Sequence, residues 1–404
     1  MPEAVIVSVA RTPIGRANKG SLTEFRPDDL TAFIVKTALD KIPALDRHTV
    51  DDLYLGCGLP GGEAGNNMGR VVNVLNDMDD VPGATITRYC ASSVQSTRMA
   101  FHAIKAGEGD VFISAGVETV SRFMKGTSDH WPDTKNPLFE DAAALTVKYA
   151  EGGSDWHDPR EDGALPDVYL AMGQTAENVA RLRGLKREEL DEFGVRSQNL
   201  AEKAINDGFW AREITPVTTP GGTVVSADDG PRAGVTYDGI KDLKPVFRPD
   251  GLTTAGNCCG LNDGAAAVVI MSDTRAAELG LKPLARIVST GVSGLSPEIM
   301  GLGPVEATKR ALAHANMSIS DIDLVEINEA FAAQVIPSYQ DLGIDIDRLN
   351  VNGGAIAVGH PFGMTGARLQ NTMINSLDWH DKSTGLITMC VGGGQGMALI
   401  LERV

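Results

Sequence analysis

The sequence is poor in cysteine: Cys57, Cys90, Cys258, Cys259 and Cys390 are the only five in 404 residues, and their irregular spacing excludes a disulfide framework. Adjacent Cys258 and Cys259 lack the C-x-x-C spacing of metal sites, so no metal is expected and reduced thiols are the default. No window approaches about eighteen uninterrupted apolar residues, so no membrane span is expected. The opening MPEAVIVSVARTPIG has no charged n-region ahead of an apolar one; it predicts a short Val/Ile strand, and the chain reads as cytoplasmic. Positive charge is scarce too. Lys and Arg total 36 against 53 Asp and Glu, a net charge of −17 that argues against nucleic acid or an anionic membrane as the main partner. Screening over roughly 8 Å still allows a local basic patch to take a phosphorylated ligand.

What is present is an ordinary globular composition, 43% hydrophobic and 22% charged, with length for two or three packed units. Val5–Val9, Leu53–Leu55, Thr85–Tyr89 and Val111–Ala115 read as strands, separated by helical stretches such as Leu30–Leu39 and Ser92–Ala106. That alternation predicts a layered α/β architecture. A second block repeats the order: a helix at Pro304–Ala315, a strand at Leu324–Ile327, a Gly-rich elbow at Gly353–Gly366 running into a helix, and a strand at Leu386–Met389. Residues 51–56 parallel 321–326, and 109–114 parallel 384–389, which suggests a duplication. Between the blocks the composition changes, with a Trp/Pro/Asp-rich run at 154–163 and a turn-rich stretch at 219–232. A helical stretch from Thr175 to Gly208, with Leu182, Leu190, Phe193 and Leu200 spaced for one face, favours an ordered lid. The expected units are 1–120 completed by 251–275, an inserted loop or lid domain at 121–250, and 276–404.

Cys90 falls where the strand Thr85–Tyr89 gives way to a helix, and Ala91, Ser92 and Ser93 leave room beside it. A cysteine at a helix N-terminus meets unpaired N–H groups that favour thiolate and can hold an oxyanion; the plain alternative is a buried structural thiol. His360 lies among Gly353, Gly354, Gly359, Gly363 and Gly366, where backbone can approach a ligand closely. Alone it would read as structural; with a poised cysteine elsewhere it becomes a candidate base. Cys390 leads into Gly392, Gly393 and Gly394 at the carboxyl end of a strand, where open α/β folds bind ligands. Asn328 follows the strand Leu324–Ile327 in the same way, its plain reading being a helix cap.

Arg-x-Cys-Ala-Ser-Ser around Cys90, Asn-Glu-Ala-Phe from Asn328, Gly-His-Pro-x-Gly around His360 and Cys-x-Gly-Gly-Gly-x-Gly from Cys390 together resemble the thiolase family, in family order and over nearly the whole chain. The segments Ala115–Glu118, Met172–Asn178, Leu243–Phe247 and Thr254–Asn257 extend the likeness. The resemblance implies two duplicated α/β halves in a five-layered core with an inserted loop domain, assembled as a homodimer or homotetramer. It implies reversible thiolytic cleavage of 3-ketoacyl-CoA, or the reverse Claisen condensation, with Cys90 acylated, His360 activating it and Cys390 as acid or base. One oxyanion hole would use His360 and a water held by Asn328, the other the N–H groups of Cys90 and Gly392. Coenzyme A and acyl-CoA would be substrates, with no permanently bound cofactor. Arg232 would lie by the adenine; Phe247, Met300 and Phe331 would line the channel, and Met172, Ala255 and Cys259 would also contact the ligand.

Two features depart from the family pattern or refine it. Many thiolases carry Ser where this chain has Cys259, and a thiol is a weaker donor. Short-chain biosynthetic thiolases tend to carry His where this chain has Ala171, which favours a degradative enzyme for medium or bulkier acyl chains, with a β-oxidation partner subunit as one expectation. A short-chain acetoacetyl-CoA thiolase is the alternative. A decarboxylating ketoacyl synthase would need two His, or His and Asn, and is disfavoured by Cys390. An inactive CoA- or lipid-binding scaffold is the rival from another class.

Overall fold

The computed structural model describes residues 2–125, 134–153 and 155–404. Its centre is a continuous ten-stranded sheet. One half runs Leu324–Ile327, Thr384–Val391, Gln395–Arg403, Ala285–Gly294; the other runs Ala4–Arg11, Asn262–Ser272, Val111–Thr119, Asp52–Cys57, Gly83–Ile86, with the short strand Gly15–Arg16 also paired to Asn262–Ser272. The halves join through only two residue pairs, Val5 with Arg286 and Ile6 with Ala285.

The halves share one plan. Asp52–Cys57 lies parallel to Val111–Thr119, which has Asn262–Ser272 and then Ala4–Arg11 as antiparallel neighbours. Leu324–Ile327 lies parallel to Thr384–Val391, followed by antiparallel Gln395–Arg403 and Ala285–Gly294. The segments paired in the sequence, 51–56 with 321–326 and 109–114 with 384–389, therefore occupy equivalent sheet positions. Two helices, Ser92–Ala106 and Thr365–Trp379, touch each other and strands of both halves, forming the middle layer. Pro27–Asp40 covers the outer face of one half and Gly303–Ala315 that of the other, giving five layers. Covered on both sides, Val111–Thr119 and Asn262–Ser272 are buried at every position, and so read as continuous apolar and small runs.

Some expectations are corrected. The strand before Cys90 is Gly83–Ile86 and stops short of Tyr89, because Tyr89 takes a left-handed φ of 44° that no strand accommodates. The stretch from Thr175 to Gly208 is two helices, Met172–Leu182 and Arg187–Asn206, broken near Gly184 at φ 61°. Leu190 and Phe193 are buried as expected, whereas Leu182, at the first helix's end, is exposed. The middle segment is tied into the core by buried ion pairs. Arg11, fully buried, pairs with Glu213 at 2.6 Å and Asp228 at 2.8 Å. Of the run 154–163, Ser154 lies outside the described residues, as do 126–133.

Candidate active site

The elbow at Cys90 is fixed by its own backbone. Left-handed Tyr89 turns the chain, residues Tyr89–Ala91 form a single tight turn, and the helix Ser92–Ala106 continues from it. Ser92 clamps the turn: its Oγ accepts from Arg88 N–H at 2.9 Å and donates to Tyr89 C=O at 2.6 Å. Cys90 is buried, and the nearby backbone N–H groups of Gly392 and of Cys90 itself favour its thiolate form. Burial, and secondarily Glu118, push the thiol up to about 12, outweighing those two N–H groups.

His360 is held by a relay that fixes its tautomer. Its backbone N–H donates to Asn262 Oδ1 at 2.9 Å. Thr365 Oγ1 donates to the Pro361 carbonyl at 2.7 Å, which commits its single proton, so at 2.6 Å it accepts from His360 Nδ1–H. Nε2 is left with its lone pair free to take a proton, and Asn328 Nδ2 approaches it at 3.3 Å. Burial, aided by Arg368, lowers the imidazole to about 3, so the ring is neutral. Asn328 is no helix cap, since the next helix, Ala332–Leu342, is preceded by Phe331 at its cap position. Its Oδ1 is buried without a hydrogen-bond partner among the described residues. Among those residues no hydrogen bond joins the Cys90 thiol to His360.

Cys390 ends the buried strand Thr384–Val391, and burial, followed by the neighbouring Cys90, pushes its thiol well above the ordinary range. The following turn passes through Gly393 at φ 75° and Gly394 at φ 78°. At Gly392 a Cβ would stand 3.2 Å from the Tyr89 ring and 3.6 Å from Met172 sulfur, so Tyr89 and Met172 already fill the space beside this glycine.

The residues expected to hold coenzyme A divide into two groups. Met300 and Phe331 are buried and Phe247 half-buried, with the Phe247 and Phe331 rings edge to face at 6.0 Å. Cys258 bridges to Phe331, and Cys259 N–H donates to Ala330 C=O at 3.1 Å, which brings the Cys259 thiol near both Cys90 and Cys390. Met172 is half-buried beside Gly392. Ala255 and Arg232 instead lie exposed; Arg232 is anchored through its backbone N–H to Gln198 Oε1 at 2.9 Å. Thr365 and Asn262 escaped the sequence reading, though Thr365 stands only five residues beyond His360. Among the described residues no group of three or more His, Cys, Asp or Glu is placed to hold a metal, and no helix is long and apolar enough to cross a membrane.

Known proteins align along the whole chain. The family model described as "Thiolase, N-terminal domain" matches residues 4–274, and "Thiolase, C-terminal domain" matches 281–403. A 3-ketoacyl-CoA thiolase of Bacillus subtilis is 41% identical over 415 residues, covering 100% of both chains. A beta-ketoadipyl-CoA thiolase of Acinetobacter baylyi is 41% identical over 417 residues with the same coverage. The crystal structure of the dimeric peroxisomal thiolase of Saccharomyces cerevisiae superposes with a TM-score of 0.88 at 31% identity, covering 100% of this chain and 98% of that one.

Proposed function

The chain belongs to the thiolase family, and we propose that it transfers acyl groups between coenzyme A thioesters through an acyl-Cys90 intermediate. The observation that carries this assignment is the packing of the strand that bears Cys390 against the turn that bears Cys90, which sets two buried thiols side by side with Gly392 against the Tyr89 ring.

In the cleavage direction, Cys90 gives its proton to His360 Nε2 as its sulfur bonds to the 3-keto carbon. The bond between carbons 2 and 3 breaks, its electron pair passes to carbon 2, and the Cys390 S–H protonates that carbon to release acetyl-CoA. A second coenzyme A thiol gives its proton to the Cys390 thiolate and attacks the acyl group; Cys90 leaves and recovers its proton from His360. Dividing the reaction in this way replaces one difficult step by two easier ones. The resting neutrality of both partners suits it, since charge arises only when substrate supplies an electrophile. Nε2 gains a proton at the moment an oxyanion forms, so with Asn328 it serves one oxygen, while the N–H groups of Cys90 and Gly392 serve the other.

Coenzyme A passes through as substrate, with Met172, Phe247, Ala255, Cys259, Met300 and Phe331 along its path and Arg232 at the adenine end. We assign the enzyme a degradative role on medium or bulkier 3-ketoacyl chains, as a cytoplasmic homodimer or homotetramer of lipid metabolism; a relative named for beta-ketoadipyl-CoA supports a chain longer than acetoacetyl. Brief exposure to acyl-CoA followed by peptide mass spectrometry should add one acyl group to the peptide containing Cys90. Label on Cys390 alone overturns the assignment.

A further inference from the structure

Glu118 ends the strand Val111–Thr119 with its side chain 1% exposed, and among the described residues it forms no ion pair. Its carboxylate is instead surrounded by backbone donors from two separate loops. Oε2 accepts Gly58 N–H at 2.7 Å and Gly363 N–H at 2.9 Å, while Oε1 accepts Leu59 N–H at 3.3 Å and faces the Cys57 thiol at 3.7 Å. Gly363 belongs to the turn that carries His360. Gly58 belongs to the turn after the strand Asp52–Cys57, and its carbonyl accepts from Thr87 Oγ1 at 2.9 Å, three residues ahead of Cys90. Ser92 Oγ, whose proton goes to Tyr89 C=O, also lies 3.3 Å from the Cys57 carbonyl oxygen.

These backbones touch with no side chain between them. A Cβ on Gly363 would lie 2.3 Å from Val117 O and 2.6 Å from Gly56 O, and one on Gly116 would lie 2.2 Å from Gly363 O. A Cβ on Gly58 would lie 2.6 Å from Glu118 Oε2 and 2.8 Å from the Phe362 Cβ. Contact this close leaves inward-pointing N–H groups with no room for a solvating side chain, and only an acceptor with several lone pairs satisfies three of them at once. A simple packing residue would not need a carboxyl group there, because burying it is costly: burial pushes Glu118 up to about 7, and the N–H groups of Gly363, Gly58 and Leu59 offset that cost only in part.

We propose that Glu118 is a positioning residue of the reaction: by accepting Gly58 and Gly363 N–H on one oxygen, it sets the loop of His360 against the elbow of Cys90. The proposal rests on the acyl-Cys90 reading and is tested so that the two can fail separately. Glu118→Ala removes the shared acceptor; Glu118→Gln keeps one carbonyl oxygen for Gly58 and Gly363. With kcat normalised to Cys90 acylated in each preparation, Glu118→Ala should lose about a hundredfold in kcat, the scale of a misplaced reacting group, with KM for acyl-CoA changed less than about threefold. Glu118→Gln should recover most of that loss. Parental kcat in a folded Glu118→Ala enzyme overturns the role, as does a Gln variant as impaired as the Ala variant. Failure of both variants to fold, judged by thermal unfolding, assigns Glu118 to stability and overturns it too. Absence of acyl-Cys90 in the parent enzyme sinks the reading of the reaction instead.

Discussion

Burial moves Cys90 and His360 in opposite directions, the thiol up to about 12 and the imidazole down to about 3, so both rest uncharged. A helix N-terminus is a local feature visible in sequence, but the desolvation that outweighs it comes from residues distant in the chain. For the same reason Cys90, His360, Cys390 and Asn328 were legible as chemistry in unusual turns, whereas Asn262, whose Oδ1 anchors His360, was not. Cys390 is assigned the proton at carbon 2, which its separation from the acylation step makes testable. Cys390→Ala should still acquire the acyl group on Cys90 yet fail to exchange the α-protons of acetyl-CoA with solvent deuterium. Undiminished exchange, read by mass spectrometry, removes Cys390 from the mechanism.

At the level of elements, helix and strand existence followed from periodicity, and Ser92–Ala106 and Leu324–Ile327 match their expected limits. Misplaced boundaries have local causes: the left-handed Tyr89 and the break at Gly184 depend on conformations that several residue types can adopt. Ala171 is the exposed residue at the N-terminal cap of Met172–Leu182, directly before the Met that lies beside Gly392. The neighbouring cover is pinned by buried Glu298, which accepts from Trp156 Nε1 at 2.6 Å and Asp167 N–H at 2.8 Å, in the same turn as Met300. Under the proposed degradative role a longer acyl chain would extend past this cap, each buried methylene contributing about 0.8 kcal/mol. The ratio kcat/KM should therefore rise from acetoacetyl-CoA to longer 3-ketoacyl-CoAs, and Ala171→His should reverse the trend. Preference for acetoacetyl-CoA, unchanged by that substitution, contradicts this reading of the cap.

Across the whole molecule, duplication was visible because the two blocks repeat their order of elements, even where few residues agree. The attachment of the middle segment was not visible, since Arg11 and its partners Glu213 and Asp228 lie some two hundred residues apart in sequence and nothing local pairs them. Removing the guanidinium takes the ion-pair partner from two buried carboxylates, so Arg11→Ala should lower the free energy of unfolding by roughly 3–5 kcal/mol. Urea unfolding followed by circular dichroism measures this, and a loss under about 1 kcal/mol would mean the network is solvated and contributes little.

The strand Ala4–Arg11 sits inside the sheet, with Ala4 opposite Ser272. During synthesis its partner does not yet exist when it leaves the ribosome, and at about 5–20 residues per second the wait is on the order of tens of seconds. Throughout that interval a Val- and Ile-rich strand has both edges unpaired, the condition in which chains associate with one another. Chaperone dependence during translation should accordingly centre on this segment and end once residue 286, the last of its partners on the two edges, has emerged.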